Sequence, residues 1–301
     1  MISRRHLLAG TAATATWAAM PDVLRAGEPM RQRKIPSSGE AVPVIGLGTS
    51  GSFEVGSDAA ERDPLREVLK RFFAAGGRLI DTAPSYGSAE LVLGELLRVS
   101  RQRAQCFLAS KLSSVGKAAG RAQFEASLAR LQTDRIDLLQ VHNLRDWRTQ
   151  LALARELRSE GKVRYTGVTH YLDSAHEEIA AVIASEKPDF LQINYSVASP
   201  GAEKRLLPLA QDLGVAVLVN RAFEDGALFA RVQGRALPDW SGDVAVTSWA
   251  QMFLKFALGH PAVTAVIPAT SRPERQSDNL HAGFGPELDA TQRSELIAMF
   301  G

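Results

Sequence analysis

The sequence has little cysteine, no long apolar run and almost no excess of charge. Cys106 is the only cysteine among 301 residues, which excludes an intrachain disulfide and a compact metal site built on cysteines. No stretch of about 18 unbroken apolar residues occurs, so an ordinary membrane-spanning helix is excluded. The 35 basic and 33 acidic residues nearly cancel, for a formal net charge of +2. Arg4, Arg5, Arg25 and Asp22 lie in the first 26 positions, and setting those three bases and one acid aside leaves 32 against 32. So balanced a surface offers no electrostatic handle to nucleic acid or to an anionic membrane. Internal repeats, low-complexity tracts and linkers are also missing after residue 31. What is plentiful is apolar side chain, 45% of the residues, enough for one large core and too much for disorder beyond the ends.

The first 26 residues read as an address. Arg4 and Arg5 make a basic start, a mild Leu/Ala/Thr run follows, and small residues lead to about Ala26. Ser3-Arg4-Arg5-His6-Leu7-Leu8 resembles a twin-arginine export signal. No cysteine follows the apolar run, so a lipid anchor is excluded and no stable membrane attachment is expected after cleavage. The reading makes the twin-arginine machinery a partner and the periplasm the destination. That route carries chains already folded, often with a cofactor inside. The lack of disulfides agrees with folding in a reducing compartment first.

From about residue 31 the chain alternates short apolar runs with helical stretches. Two short extended pieces, 33–36 and 42–44, flank the turn signal Ser37-Ser38-Gly39-Glu40 and predict a β-hairpin. Strands are predicted over 44–49, 78–83, 106–112, 136–142, 165–170, 190–195, 215–220 and 265–268. Each lacks strong polar alternation, as expected of parallel strands covered on both faces. Helical patterns lie between them over 64–75, 89–97, 122–131, 151–160, 175–185, 203–213 and 246–258. Gly76-Gly77, Gly161 and Gly214 stand where helices should stop. Eight strand–helix units in strict order predict an α/β fold, a closed (β/α)8 barrel preceded by a short hairpin, as one domain over 31–301. An open doubly wound sheet would want a Gly-rich phosphate turn after its first strand. Gly46-Leu47-Gly48-Thr49-Ser50-Gly51 is only superficially that motif, because its first glycines fall inside the strand.

Barrel enzymes place their chemistry at the carboxyl ends of the strands. Asp81, Lys111 and His142 each end a predicted strand, and Tyr86 sits in the turn Pro84-Ser85-Tyr86-Gly87. Each alone has an ordinary structural explanation: a cap, a snorkelling amine, a turn residue, a scaffold imidazole. An acid, a phenol, an amine and an imidazole at neighbouring strand ends together point to proton chemistry.

The run Ile80-Asp81-Thr82-Ala83-Pro84-Ser85-Tyr86-Gly87-Ser88-Ala89-Glu90 resembles the aldo-keto reductase signature, as do the Ser110-Lys111 and Val141-His142 contexts. The resemblance extends from the hairpin at Lys34 to about Leu280. It implies NAD(P)H-dependent reduction of a small aldehyde or ketone. Tyr86 would be the general acid, Lys111 would pull the phenol pKa down from about 10, Asp81 would fix Lys111, and His142 would bind the carbonyl oxygen.

By the same resemblance, Thr270, Ser271, Arg272, Arg275 and Asn279 form an adenosine-phosphate segment. Two arginines there favour NADP(H) over NAD(H), through charge-assisted contacts to a 2′-phosphate. Gln192 would take the nicotinamide carboxamide, and Gly48 and Thr49 would line the ring. Two departures from the family pattern are Thr169-His170 in place of Ser-Asn, and Asn220-Arg221 where an aromatic-Ser-Pro-Leu run is common. Phe53, Trp147 and Phe223 are candidates for the substrate wall, and a comparatively open mouth is expected. No metal site is expected. Two other functions fit a barrel with these residues: a cofactor-loaded binding or redox-sensing protein of slow turnover, and a Schiff-base aldolase using Lys111. The aldolase has no need of the Asp81–Tyr86–His142 pattern.

Overall fold

The computed structural model describes residues 29–300; residues 1–28, on which the export-signal reading falls, and Gly301 lie outside the described residues. The described residues open on an antiparallel hairpin of β1 (Gln32–Lys34) and β2 (Ala41–Pro43), in the register Arg33 opposite Val42. Eight strands follow: β3 (Leu47–Gly48), β4 (Leu79–Asp81), β5 (Phe107–Leu112), β6 (Ile136–His142), β7 (Val163–Thr169), β8 (Phe190–Asn194), β9 (Ala216–Asn220) and β10 (Val263–Val266). They pair in sequence order, all parallel.

The sheet closes on itself. Parallel bridges Ile45–Val266 and Gly48–Ala269 join the first barrel strand to the last. The backbone bonds Gly46 N to Val266 O at 2.8 Å and Gly48 N to Pro268 O at 2.9 Å complete the seam. The expected (β/α)8 barrel with its leading hairpin is the observed fold.

Helices α1 (Ala59–Ala74), α2 (Ala89–Ser100), α3 (Lys117–Leu131), α4 (Trp147–Ser159), α5 (His176–Glu186) and α6 (Leu206–Leu213) return the chain after β3 to β8. The last units hold α7 (Ala227–Arg231), α8 (Trp249–Leu258), α9 (Pro273–His281) and α10 (Ala290–Phe300). α1 begins five residues before the Pro64 start expected from sequence, because the Asp58 side chain accepts from Ala60 N at 2.9 Å and caps an earlier turn. β10 begins at Val263 rather than at 265, since Val263 and Ala265 already pair with β9.

Two cores result. The larger lies between the helices and the outside of the sheet. The smaller fills the lower barrel with Leu79, Phe107, Leu138, Tyr165, Phe190 and Leu218 among others, and the hairpin adds Ile35 and Val42 to it. Phe107, Tyr165 and Phe190 pack with ring centroids 5.6 to 6.0 Å apart. The Tyr165 hydroxyl lies 2.8 Å from both Ser38 Oγ and Glu40 Oε2, so the hairpin is tied on as a plug.

Gly48 sits at the seam, where a Cβ would stand 2.8 Å from the Ile267 carbonyl oxygen. Backbone cannot give way there as a flexible side chain would. Gly48→Ala should therefore lower the unfolding free energy by about 1–3 kcal/mol, measured by denaturant titration.

Candidate active site

The strand period of two decides what fills the barrel at each height. On β4 the inward positions run from Leu79 to Asp81. On β5 they run from Phe107 and Ala109 to Lys111, on β6 from Leu138 to Gln140 and His142, and on β8 from Phe190 to Gln192. The lower residues of each series are apolar and the upper ones polar. The change occurs on several strands at once, so a polar layer lies on an apolar one.

That layer is built around a buried ion pair. Lys111 is 1% and Asp81 3% exposed. Lys111 Nζ donates to Asp81 Oδ2 at 2.5 Å and to the Thr82 carbonyl at 2.9 Å. The other carboxylate oxygen, Asp81 Oδ1, accepts from Gln140 Nε2 at 3.0 Å and from Gln192 Nε2 at 2.9 Å. Burial works against the Lys111 ammonium, but the Asp81 and Tyr86 partners outweigh it and leave its pKa raised, so Lys111 stays charged.

Tyr86 hangs over this pair from the β4–α2 turn. Lys111 Nζ lies 4.9 Å from its ring centroid. The turn is closed by Tyr86 N to Ala83 O at 3.1 Å and Ala89 N to Tyr86 O at 2.8 Å. Sequence alone predicts a phenol pKa lowered by Lys111, yet the net shift is upward. Burial is the largest influence, Lys111 opposes it, and Asp81 and Glu54 add to it. Tyr86 is therefore held as the protonated phenol near neutral pH.

His142 meets Tyr86 edge to face, with centroids 5.9 Å apart and planes at 83°. Its Nδ1 is 3.4 Å from Ser85 Oγ. Burial first and the Lys111 charge second push the imidazole pKa down to about 4, so the ring is neutral near pH 7.

The remaining candidates fall into two groups. Thr169, Gln192 and Asn220 join the same polar layer. Thr169 Oγ1 donates to Gln192 Oε1 at 3.1 Å, and Asn220 Nδ2 donates to that oxygen at 3.4 Å and to the His170 carbonyl at 3.1 Å. The Gln192 amide, expected to take a carboxamide, is thus bonded within the barrel on both its oxygen and its nitrogen. Asn220 Oδ1 is buried and has no partner among the described residues. His170 is half-buried, accepts from Leu172 N on Nδ1 at 3.2 Å and stacks on Tyr171 with centroids 5.6 Å apart. Thr49 is fully buried and donates to the Asp81 carbonyl at 3.0 Å, while Gly48 serves the seam.

The second group lies at the end of β10. Thr270 Oγ1 accepts from Arg272 N at 3.1 Å just before α9 begins. Ser271, Arg272 and Arg275 are exposed, and Asn279 is buried on α9. Neither arginine enters an ion pair among the described residues. These residues suit a phosphorylated nucleotide: two unpaired guanidiniums fit a phosphate monoester, and the orphaned Asn220 acceptor fits an amide N–H. Of the three aromatic candidates for the substrate wall, Phe53 is wholly buried core, whereas Trp147 and Phe223 are half-buried. A cleft of about 570 Å³ opens at the opposite end of the barrel, lined by Glu40, Arg78, Arg103, Asp137 and Arg164 among others, whose charges pair with one another.

Sequence reasoning passed over Gln140 and Ser85. Gln140 lies two residues before His142 in the strand, and counting back by two from His142 was the signal available. Ser85 is visible only as a neighbour of Tyr86.

A closed parallel barrel with acid, amine, phenol and imidazole gathered at its carboxyl end has the form of a barrel enzyme built for proton transfer. The Aldo/keto reductase family profile matches residues 44–298, and the chain belongs to that family. It is 30% identical over 251 residues to methylglyoxal reductase YeaE of Escherichia coli, covering 80% of this chain and 86% of that protein. It is 27% identical over 243 residues to the NADH-specific methylglyoxal reductase of the same organism, covering 68% and 72%. A crystal structure of an aldo-keto reductase from Klebsiella pneumoniae in complex with NADPH superposes with a TM-score of 0.75 at 27% identity, covering 90% of this chain and 96% of that one.

Lys111 depresses the His142 pKa, so removing its charge must let that pKa rise. Lys111→Met should carry the His142 ring from about 4 toward the unperturbed 6.5, followed by proton NMR of the ring. An unmoved titration would show that the Lys111 charge does not reach His142.

Proposed function

We propose that the protein reduces small aldehydes or ketones to alcohols with NADPH, NADH being the poorer donor, and that Tyr86 provides the proton. The observation that carries this reading is the buried Asp81–Lys111 pair beneath a protonated phenol and beside a neutral imidazole. The nicotinamide supplies hydride to the carbonyl carbon when bound. Thr270, Ser271, Arg272, Arg275 and Asn279 would hold its adenosine-phosphate end, and Asn220 Oδ1 would accept from its carboxamide.

Tyr86 gives its hydroxyl proton to the carbonyl oxygen as the carbon is reduced. The charge left on the phenol oxygen faces the Lys111 ammonium, whose own charge is balanced by Asp81, and the phenol regains a proton from water afterwards. His142, being neutral, donates one N–H to the same carbonyl oxygen. In the tautomer in which Nδ1 accepts from the Ser85 hydroxyl, that donor is Nε2–H. Raised by burial, the phenol is a weaker acid than in water but a reliable carrier of its proton, and charge develops next to Lys111 only as hydride arrives. Methylglyoxal, named for two relatives, is the carbonyl to test first.

We further propose that the protein is exported to the periplasm by the twin-arginine route. Support comes from Arg4-Arg5 ahead of a mild apolar run and from the family match beginning only at residue 44.

Tyr86→Phe removes the proton but keeps the ring. It should lower kcat for carbonyl-dependent NADPH oxidation by about 10²–10⁴-fold with little change in the KM for NADPH, read at 340 nm in a steady-state assay. Unchanged turnover would remove Tyr86 as the acid. Replacing Arg4 and Arg5 together by Lys should leave the full-length precursor in the cytoplasmic fraction, seen by cell fractionation and intact mass. Periplasmic, shortened protein from that variant would overturn the export proposal.

A further inference from the structure

Three side-chain amides form a directed chain that ends on Asp81. Asn220 Nδ2 donates to Gln192 Oε1, Gln192 Nε2 donates to Gln140 Oε1 at 3.2 Å, and both glutamines donate to Asp81 Oδ1. Gln140 is fully buried and Gln192 is 2% exposed, so neither has water as an alternative partner. Gln140 stands in register between Lys111 on β5 and Gly167 on β7. A Cβ on Gly167 would press on Gln140 Cγ at 3.1 Å, so the glycine leaves the space that Gln140 occupies.

We propose that Gln140 is a positioning residue of the proton-donating site: with Gln192 it clamps one oxygen of Asp81, so that the other stays on Lys111 and Lys111 stays under Tyr86. The carboxylate cannot rotate to turn Oδ2 away from Lys111 without stripping two buried amides of their acceptor. A hydrophobic residue at 140 would leave Oδ1 with one donor and Gln192 without an acceptor for its second N–H. The amide is the suitable group because it gives a hydrogen to Asp81 and takes one from Gln192 at once. On this account Gln192 acts first as the partner of Gln140.

The inference rests on the reductase reading, and its test separates the two. Gln140→Met should lower kcat at least about tenfold while the KM for NADPH changes little, since the adenosine-phosphate contacts over 270–279 are untouched. In an Asp81→Asn background the same change should alter kcat less than about twofold, because the residue it acts through is already lost.

Gln140→Glu gives a pH signature. A protonated carboxyl donates where the amide did. Ionised, it faces Asp81 from β4, with Lys111 on β5 and His142 on its own strand as the other titratable neighbours; β7 and β8 contribute only Gly167, Thr169 and Gln192 there. Activity relative to the native enzyme should therefore fall as pH rises across about 5 to 8.

A measurement without ligand is the nitrogen-15 NMR signal of the buried Lys111 ammonium, assigned by its loss in Lys111→Met. It should be sharp in the native protein and broadened in Gln140→Met. A sharp signal together with native kcat in Gln140→Met, or a pH profile of Gln140→Glu parallel to the native one, would overturn the proposal. If the native protein reduces no carbonyl, the reductase reading falls, and the ammonium signal still decides the role of Gln140.

Discussion

Everything at the mouth of this barrel depends on the buried pair of Lys111 and Asp81. An ammonium that is 1% exposed is tolerated only with an opposite charge and hydrogen bonds in place, and removing one partner of such a pair leaves the other unpaired at a cost of about 3–5 kcal/mol. The pair is short because β4 and β5 are neighbours in register, with Asp81 opposite Ala109 and Lys111 two residues beyond on the same inward face. Tyr86, His142 and the two glutamines are arranged around that charge.

The barrel separates stability from chemistry by height. Its lower half is sealed by aromatic rings and by the hairpin, whose Ile35 and Val42 reach into the inner core. Its upper half is a hydrogen-bonded layer in which most polar atoms have protein partners. Rigid strands carry Asp81, Lys111, Gln140 and His142, while Tyr86 alone comes from a turn. The Ser88 hydroxyl, donating to the Val55 carbonyl at 2.7 Å, ties that turn to the loop after β3.

Much of this was legible in the sequence, for identifiable reasons. Eight alternating units, breaker glycines and a hairpin turn signal predicted the barrel, because parallel strands covered on both faces leave a strong apolar pattern. Asp81, Lys111 and His142 were legible as polar residues ending apolar runs, and Tyr86 through its motif. Gln140 was not read, since the two-residue period that puts it on the face of His142 does not say which buried groups it will meet there. The start of α1 was missed because Pro64 looked like a first turn, and only the Asp58 cap revealed an earlier one. The direction of the Tyr86 shift was also misjudged: the family motif implies a neighbouring ammonium, but not the burial that outweighs it.

The sequence by itself determined the order of the elements, the residue types at the strand ends and the overall balance of charge, because these follow from local periodicity and composition. Only the tertiary structure decided which of those residues touch, how deeply they are buried, and hence which protonation states they hold. Contact between β4, β5, β6 and β8 is a matter of closure and register, and the dielectric around Tyr86 and His142 is set by atoms from strands far apart in the chain.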